Sequence, residues 1–435
     1  MTSNLANFFG LLGGLLVLAF VANRLSRWTR VPDVIVLLAT GILLGPVLHW
    51  VNVERFGPIT HGFGTLALIL ILFSAGLELD LRHALKQFPG GLLLAIASYG
   101  LSFVGVTYFC TYALALPKMA AMLVAATFAC TSSSIVLPVL DQLELRPALK
   151  TTLTIEASFG DGLGALGLAV LLDLAAGGGF SSGPLSIFLA RAGLEPGSGG
   201  SVAGGVVALF LFKFALALAM AIVAGVAWKR LLPLISDKQF WQVLTFAAVL
   251  LVYACTAKLG GSELFAVMAF GATLANLSAP RASGGEFGFW IFGQDHSHQI
   301  HSFHSELAFL VRSFFFVLLG ALVEFGGLRR ELVASLGIFG VFLVARAIAV
   351  EFSRVAWRGT TKREREIAVL LIPRGLITAV LAFAAIEAEP GSLEFLTSLT
   401  FAVILLSNLL VLLASIRAKT IPAEGGSPPQ PDPAI

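Results

Sequence analysis

The chain has 435 residues, 57% of them hydrophobic and 12% charged, with a formal net charge of +3. A soluble domain carries about 25% charged residues, so a water-soluble globule is excluded, and so small a net charge points to no nucleic-acid partner. The composition is that of a polytopic membrane protein whose first partner is the lipid bilayer. The opening MTSNLANFF lacks the basic stretch of a cleaved signal, so the first apolar run is read as a retained span. Cys110, Cys130 and Cys255 all fall inside apolar runs, and no disulfide framework is expected.

About 20 residues at 1.5 Å each cross the hydrocarbon. By that measure thirteen apolar runs follow one another at 5–23, 33–51, 59–79, 91–115, 118–140, 151–174, 203–232, 240–258, 262–279, 305–325, 332–356, 366–387 and 393–416. The expected fold class is therefore all-α, with about 13 transmembrane helices. Two connections are long: the Gly/Ser-rich Gly177 to Gly205, read as a flexible linker, and the polar Pro280 to His304. Basic loop residues set the orientation. Eighteen Lys and Arg fall on one side, against six on the other (Arg55, Lys118, Arg191, Lys258, Arg329 and Arg330). This places the N-terminus outside and the C-terminus in the cytoplasm, in a cell membrane of the bacterial inner-membrane type. The Pro-rich tail after Thr420 is read as disordered.

The sixth run carries Glu156 and Asp161 at mid-span, where a carboxylate costs on the order of 3 kcal/mol or more. Five residues at 100° apiece put them roughly 140° apart around the helix, so they cannot face one pocket. One is expected to be paired inside protein and the other to face a water-filled route. Lys213 and Arg312 are read as structural cations reaching an interface or a protein-lined groove. Arg346 and Arg374 lie deeper and need partners, for which Glu156, Asp161 and Glu78 are available.

Two runs are interrupted. The fifth contains Thr131, Ser132, Ser133 and Ser134 in a row and then Pro138, which removes one helix hydrogen bond. The twelfth is broken by Pro373, Arg374 and Gly375. Interrupted helices at corresponding places in two halves point to a transporter site at the midplane. Spans 4–6 and 11–13 then form a candidate inverted pair. Asp161, flanked by Gly160, Gly162 and Gly164, is little shielded by neighbouring bulk, and Gly160 with Gly164 also makes a close-packing GxxxG. Such a carboxylate can be neutralised by a proton or by a hard alkali cation, but not by both. Oxygen ligands are at hand in Thr131, Ser158 and freed carbonyls. Glu156 is the natural partner of Arg346, and Arg374 is placed to offset the carbonyl ends of a broken helix, with tuning of the Asp161 carboxyl by its charge as the alternative.

In order along the chain, LFSAGLELDL (72–81), TSSSIV (131–136), EASFGDG (156–162), FGATLAN (270–276), FFFVLLGALVEF (314–325), the buried Arg346 and PRGLITA (373–379) resemble the monovalent cation:proton antiporter superfamily. The resemblance covers nearly the whole chain. It implies an elevator-type antiporter, usually a homodimer, exchanging Na+ or K+ for H+ without a cofactor or a resident metal. The implied core is 91–175 (spans 4–6) with 331–416 (spans 11–13). The scaffold is 1–90 (spans 1–3) with 176–330, in which span 7 is a linker and spans 8–10 belong to the scaffold; 417–435 is the tail. The implied ion and proton ligands are Asp161, Thr131, Ser158 and Ser132, the structural pair is Glu156 with Arg346, and Arg374, Glu78 and Gly160 support them. The chain departs from relatives in having Gly160 before Asp161, Ala157 where some place a liganding serine, and Ser132 for a frequent aspartate. A single free carboxylate makes one cation for one proton the simplest stoichiometry, an electroneutral exchange serving pH homeostasis.

An enzyme is a poor fit. FGDG resembles part of the intramembrane aspartyl protease element, but Ser158 breaks the motif and no second mid-span aspartate exists. No repeated carbonyl filter suggests a channel. An organic-solute transporter sharing the fold is the remaining alternative. His296, His298, His301 and His304 are read as part of a solvated cytoplasmic connection, with a pH-sensing role as the alternative.

Overall fold

The computed structural model describes residues 2–29, 33–49, 57–77, 79, 87–143, 145–175, 202–235, 240–276, 293–323, 328–353, 361–389, 391 and 393–420, and among these all regular structure is helical. Glu78, residues 177–201 of the expected linker and the tail at 421–435 lie outside the described residues, while 202–205, expected as linker, begin a helix. Each apolar run of the sequence corresponds to a helix, in the same order, with two of them split into half-helices. The helices are α1 (Thr2–Thr29), α2 (Asp33–Ile42), α3 (Gly57–Leu77), α4 (Phe88–Tyr112), α5 (Lys118–Ala129), α6 (Ser133–Gln142), α7 (Pro147–Ala175) and α8 (Val202–Leu231). There follow α9 (Trp241–Lys258), α10 (Glu263–Asn276), α11 (Gly293–Ala321), α12 (Leu328–Ser353), α13 (Lys362–Leu370), α14 (Leu376–Ala388) and α15 (Leu396–Thr420). Among the described residues, seven helical stretches are long and apolar enough by themselves to cross a membrane, and five more are shorter apolar helices.

One boundary differs from the expectation. Helix α11 starts at Gly293, a full three turns before the apolar run begins, so His304 belongs to a helix and not to a solvated connection. After Gly293 the polar stretch QDHSHQIHSFHS holds neither Gly nor Pro, so nothing stops the helix, whereas hydropathy alone sees only a polar loop. His304 is fully buried, its ring 5.0 Å from Phe73 and 6.4 Å from Phe246. The side chains of His296, His298 and His301 lie outside the described residues.

Small residues set the closest helix contacts. A methyl group on Gly41 of α2 would stand 2.8 Å from the Cα of Gly320 in α11, so only two glycines allow these backbones to approach as they do. Two units, 88–175 and 328–420, share one layout of helix, broken helix and helix. Helices α4 and α12 pack against each other and join the two units. The buried side chains between them include Arg346 and Arg374, which are among the largest fully buried groups of the protein.

Candidate ion site at the crossing of two broken helices

The first break lies where α5 ends. Cys130 (φ −80°, ψ 145°) and Ser132 (φ −80°, ψ 115°) are extended, and the helix restarts at Ser133. The second runs from Leu371 to Gly375, where Pro373 disfavours helix at the residue before it. The two extended segments cross, and the Ser132 N–H donates to Pro373 O at 3.0 Å. At position 375 a methyl group would strike the Ser132 hydroxyl and come within 2.9 Å of its Cβ, so glycine is required by this close approach.

Each break leaves carbonyls without an intrahelical donor, and a buried arginine serves each set. The Arg374 Nε donates to Phe128 O at the end of α5 (2.6 Å), and its Nη1 donates to Ile372 O (3.3 Å) and weakly to Thr131 Oγ1 (3.5 Å). Its guanidinium also lies 4.2 Å from the centre of the Phe342 ring. Its backbone is held in turn by Ser407 Oγ, which accepts its N–H (3.0 Å), and by Asn408 Nδ2, which donates to its carbonyl (3.0 Å). Arg346 closes the end of α13: Nε donates to Ala368 O at 2.9 Å and Nη2 to Leu371 O at 3.5 Å. The same side chain makes a two-pronged pair with Glu156, Nη1 to Oε1 at 2.8 Å and Nη2 to Oε2 at 3.1 Å, and donates to Ser98 Oγ at 3.2 Å. Glu156 and Arg346 are 2% and 1% exposed, so the pair is dry.

Asp161 is on the other side of α7, as the 140° separation requires, and is also buried. Its Oδ2 accepts the Ser133 N–H at 3.0 Å and the Ser133 hydroxyl at 2.5 Å. The carboxylate thus sits at the N-terminus of α6, where the helix dipole is positive. Among the described residues its Oδ1 has no hydrogen-bond partner, and neither has the buried Ser158 Oγ one helical turn away on the same face. Among the described residues no Lys or Arg pairs with Asp161. The neighbouring glycines do the packing: a methyl group on Gly164 would lie 2.9 Å from Cys130, and one on Gly162 would lie 2.8 Å from Met268 and Phe265 of α10. One acid of α7 is therefore neutralised by an arginine, while the other keeps half of its carboxylate unused.

The family profile described as "sodium/hydrogen exchanger, transmembrane" matches residues 15–416. The chain belongs to the sodium/hydrogen exchanger family. A Na(+)/H(+) antiporter 1 of Methanocaldococcus jannaschii is 25% identical over 379 residues, 86% of this chain and 82% of that protein. A K(+)/H(+) antiporter NhaP of Alkalimonas amylolytica is 25% identical over 390 residues, and the match spans 85% of this chain but only 59% of that longer protein. Among solved structures, the sodium proton antiporter MjNhaP1 of M. jannaschii superposes with a TM-score of 0.72 at 21% identity, covering 94% of this chain and 98% of the other.

In this exchanger a cavity of about 570 Å³ leads toward the site, with Asp141 and Lys150 at its exposed end and Ser133, Ser134, Thr154 and Arg312 along its walls. Asp141 and Lys150 form a solvated pair at 3.3 Å. Lys213 and Arg312 are also paired with acids: Lys213 Nζ lies 2.7 Å from Asp173 Oδ2, and Arg312, at the cavity wall, has Nη2 2.9 Å from Asp33 Oδ2. Outside the spans, Arg146 Nε donates to Glu364 Oε1 at 2.7 Å and a second prong joins Nη2 to Oε2. Glu364 also closes a capping box with Thr361 at the start of α13. Burial works against the Glu364 charge, but Arg146 and Thr361 together outweigh it and hold its carboxyl below the ordinary value of 4.5.

Of the hydroxyls assigned to the ion, Ser158 lies on the Asp161 face of α7. Thr131 faces Arg374, and Ser132 Oγ bonds to Ser134 Oγ at 3.0 Å and not to Asp161. The serine that does bond Asp161 is Ser133. From the sequence, Thr131 and Ser132 are the expected ligands and Ser133 has no role; the run of four hydroxyls marks the break, and nothing in it singles out Ser133. Gly160 lies against the break, where a methyl group would be 3.7 Å from the backbone of Thr131.

Proposed function

We propose that this exchanger swaps Na+ or K+ for H+ at Asp161, by direct competition for one carboxylate. The observation that carries the reading is the half-used carboxylate itself. Asp161 is buried and, among the described residues, lacks a basic partner; Ser133 fixes one oxygen, and the other is unsatisfied, as is the hydroxyl of Ser158 one turn away on the same helix face. A bare charge in that setting is costly, and either a proton or a small cation relieves it. Hard monovalent cations take oxygen ligands, which Asp161, Ser158 and carbonyls freed at the breaks offer; Thr131 and Ser132 adjoin them. Glu156 is already neutralised by Arg346, so one carboxylate titrates per cycle and exchange is electroneutral. Alternating access follows if the unit built from spans 4–6 and 11–13 moves, elevator fashion, against a scaffold of spans 1–3 and 8–10 that dimerises. The cavity, open beside Asp141 and Lys150, is then the cytoplasmic route of an inward-facing state, in keeping with the basic loops.

The test is proton flux in proteoliposomes with an acid-loaded lumen and a pH dye. Adding Na+ or K+ outside should raise the lumenal pH for the wild type and not for Asp161→Asn. A response that survives in Asp161→Asn refutes the site. No response to any alkali cation, in vesicles shown to hold folded protein, moves the reading to an organic solute carried by the same fold.

A further inference from the structure

Helix α6 begins at Ser133, the residue that holds Asp161, and contains Pro138. In a regular helix the carbonyl of residue 134 accepts from the N–H of residue 138. Proline has no N–H, so the sequence strips Ser134 O of its helical donor one residue from the serine that holds Asp161. The structure supplies a substitute from a different helix. Arg312 of α11 donates from Nη1 to Ser134 O at 3.2 Å, while its Nη2 is fixed by Asp33 of α2 at 2.9 Å. Arg312 and Asp33 are only 14% and 15% exposed, and Arg312 lines the cavity that reaches Ser133. Helices α2 and α11 pack closely through Gly41 and Gly320, so the acid and the arginine sit on one rigid support.

We propose that Arg312, oriented by Asp33, is a positioning residue for cation binding in the inward-facing state: there it replaces the hydrogen bond that Pro138 removes, and so holds the first turn of α6 with Ser133 aimed at Asp161, and the contact is released when the unit that carries α6 moves. The proposal rests on Asp161 being the exchange site. The fork geometry of a guanidinium is what allows one side chain to reach both Asp33 and Ser134 O. A lysine in its place keeps the charge and the Asp33 pair but has one point of attachment. Asp33 also neutralises a cation that would otherwise repel the transported ion on its way in.

The roles of charge and hydrogen bond separate in a double-mutant cycle, read as KM and kcat of cation-driven proton flux in proteoliposomes together with the melting temperature. Arg312→Lys should raise the cation KM about tenfold with kcat within about twofold, since a loosened Ser133 weakens binding without removing the carboxylate. Pro138→Ala restores an N–H at residue 138, and in that background Arg312→Lys should change KM by less than about threefold. An unchanged KM in Arg312→Lys, or an equal defect in both backgrounds, overturns the proposal. If Pro138→Ala fails to fold, Asp33→Asn serves instead: it frees the guanidinium from its anchor and should raise the KM of the wild-type background, while an unchanged KM overturns the proposal. Asp161→Asn run alongside separates the two claims. Surviving flux in that variant refutes the site, whereas lost flux with a normal KM in Arg312→Lys refutes only the role of Arg312.

Discussion

Replacing Glu156 by alanine tests how the two acids of α7 divide their work. In the wild type the Arg346 guanidinium spends two prongs on Glu156 and the rest on Ser98 Oγ, Ala368 O and Leu371 O. After the substitution those neutral acceptors remain, but the one opposing charge that pairs with it among the described residues is gone and the arginine stays 1% exposed. Breaking a buried pair by removing one partner costs roughly 3–5 kcal/mol. At about 2 cal/mol/K of unfolding entropy per residue, that corresponds to a fall of roughly 3–6 °C in melting temperature for a chain of this length. Asp161→Asn should behave differently. The amide oxygen can still accept both Ser133 donors, no arginine is stranded, and the change should stay within about 1 kcal/mol. Thermal unfolding of both variants in one detergent, followed by tryptophan fluorescence, decides the matter. Equal melting temperatures would show that Arg346 does not depend on Glu156, and the assignment of one acid to structure and the other to exchange would fall.

Ser133→Ala removes one of two donors to Asp161 Oδ2 and leaves the backbone N–H; the cation KM should rise several-fold with the melting temperature nearly unchanged. Gly375→Ala forces a methyl group onto Ser132 and should both lower the melting temperature and cut exchange at least tenfold, as measured by dye-reported flux; wild-type flux would mean that the crossing tolerates displacement. The Arg146–Glu364 pair gives a pH signature. Because the folded Glu364 carboxyl lies below its ordinary value, its contribution is present above pH 4.5 and lost as pH falls through the folded value. The stability gap between wild type and Glu364→Gln should therefore exist at pH 7 and shrink steadily below about pH 4.5, in melting curves taken across that range; a gap independent of pH would refute it.

The breaks were legible because their causes are local. Pro373 and Gly375, and the hydroxyl run before Pro138, disturb a helix through backbone chemistry that does not depend on neighbours. Glu156 and Arg346 could be matched because few deep charges were available to each other. What the sequence hid was choice among equals. Thr131, Ser132, Ser133 and Ser134 are chemically alike, and only the path of the extended segment decides that Ser133 meets Asp161. Arg312 was visible as a charge inside a span, yet its partners are 279 and 178 residues away, on α2 and α6. His304 was misplaced because hydropathy ranks histidine with loops, whereas two aromatic rings make a fitting site for it inside the protein.

The bond from Arg374 to Phe128 O spans 246 residues, and that distance has a consequence for how the chain is made. At 5–20 residues per second, the end of α5 leaves the ribosome on the order of tens of seconds before the arginine that completes it. During that interval a carbonyl destined for a water-free interior has no protein donor, and each such group costs several kcal/mol in hydrocarbon. The first unit of the protein is thus inserted unfinished. A chain stopped short of residue 374 carries every helix of that unit and still lacks the group that closes it.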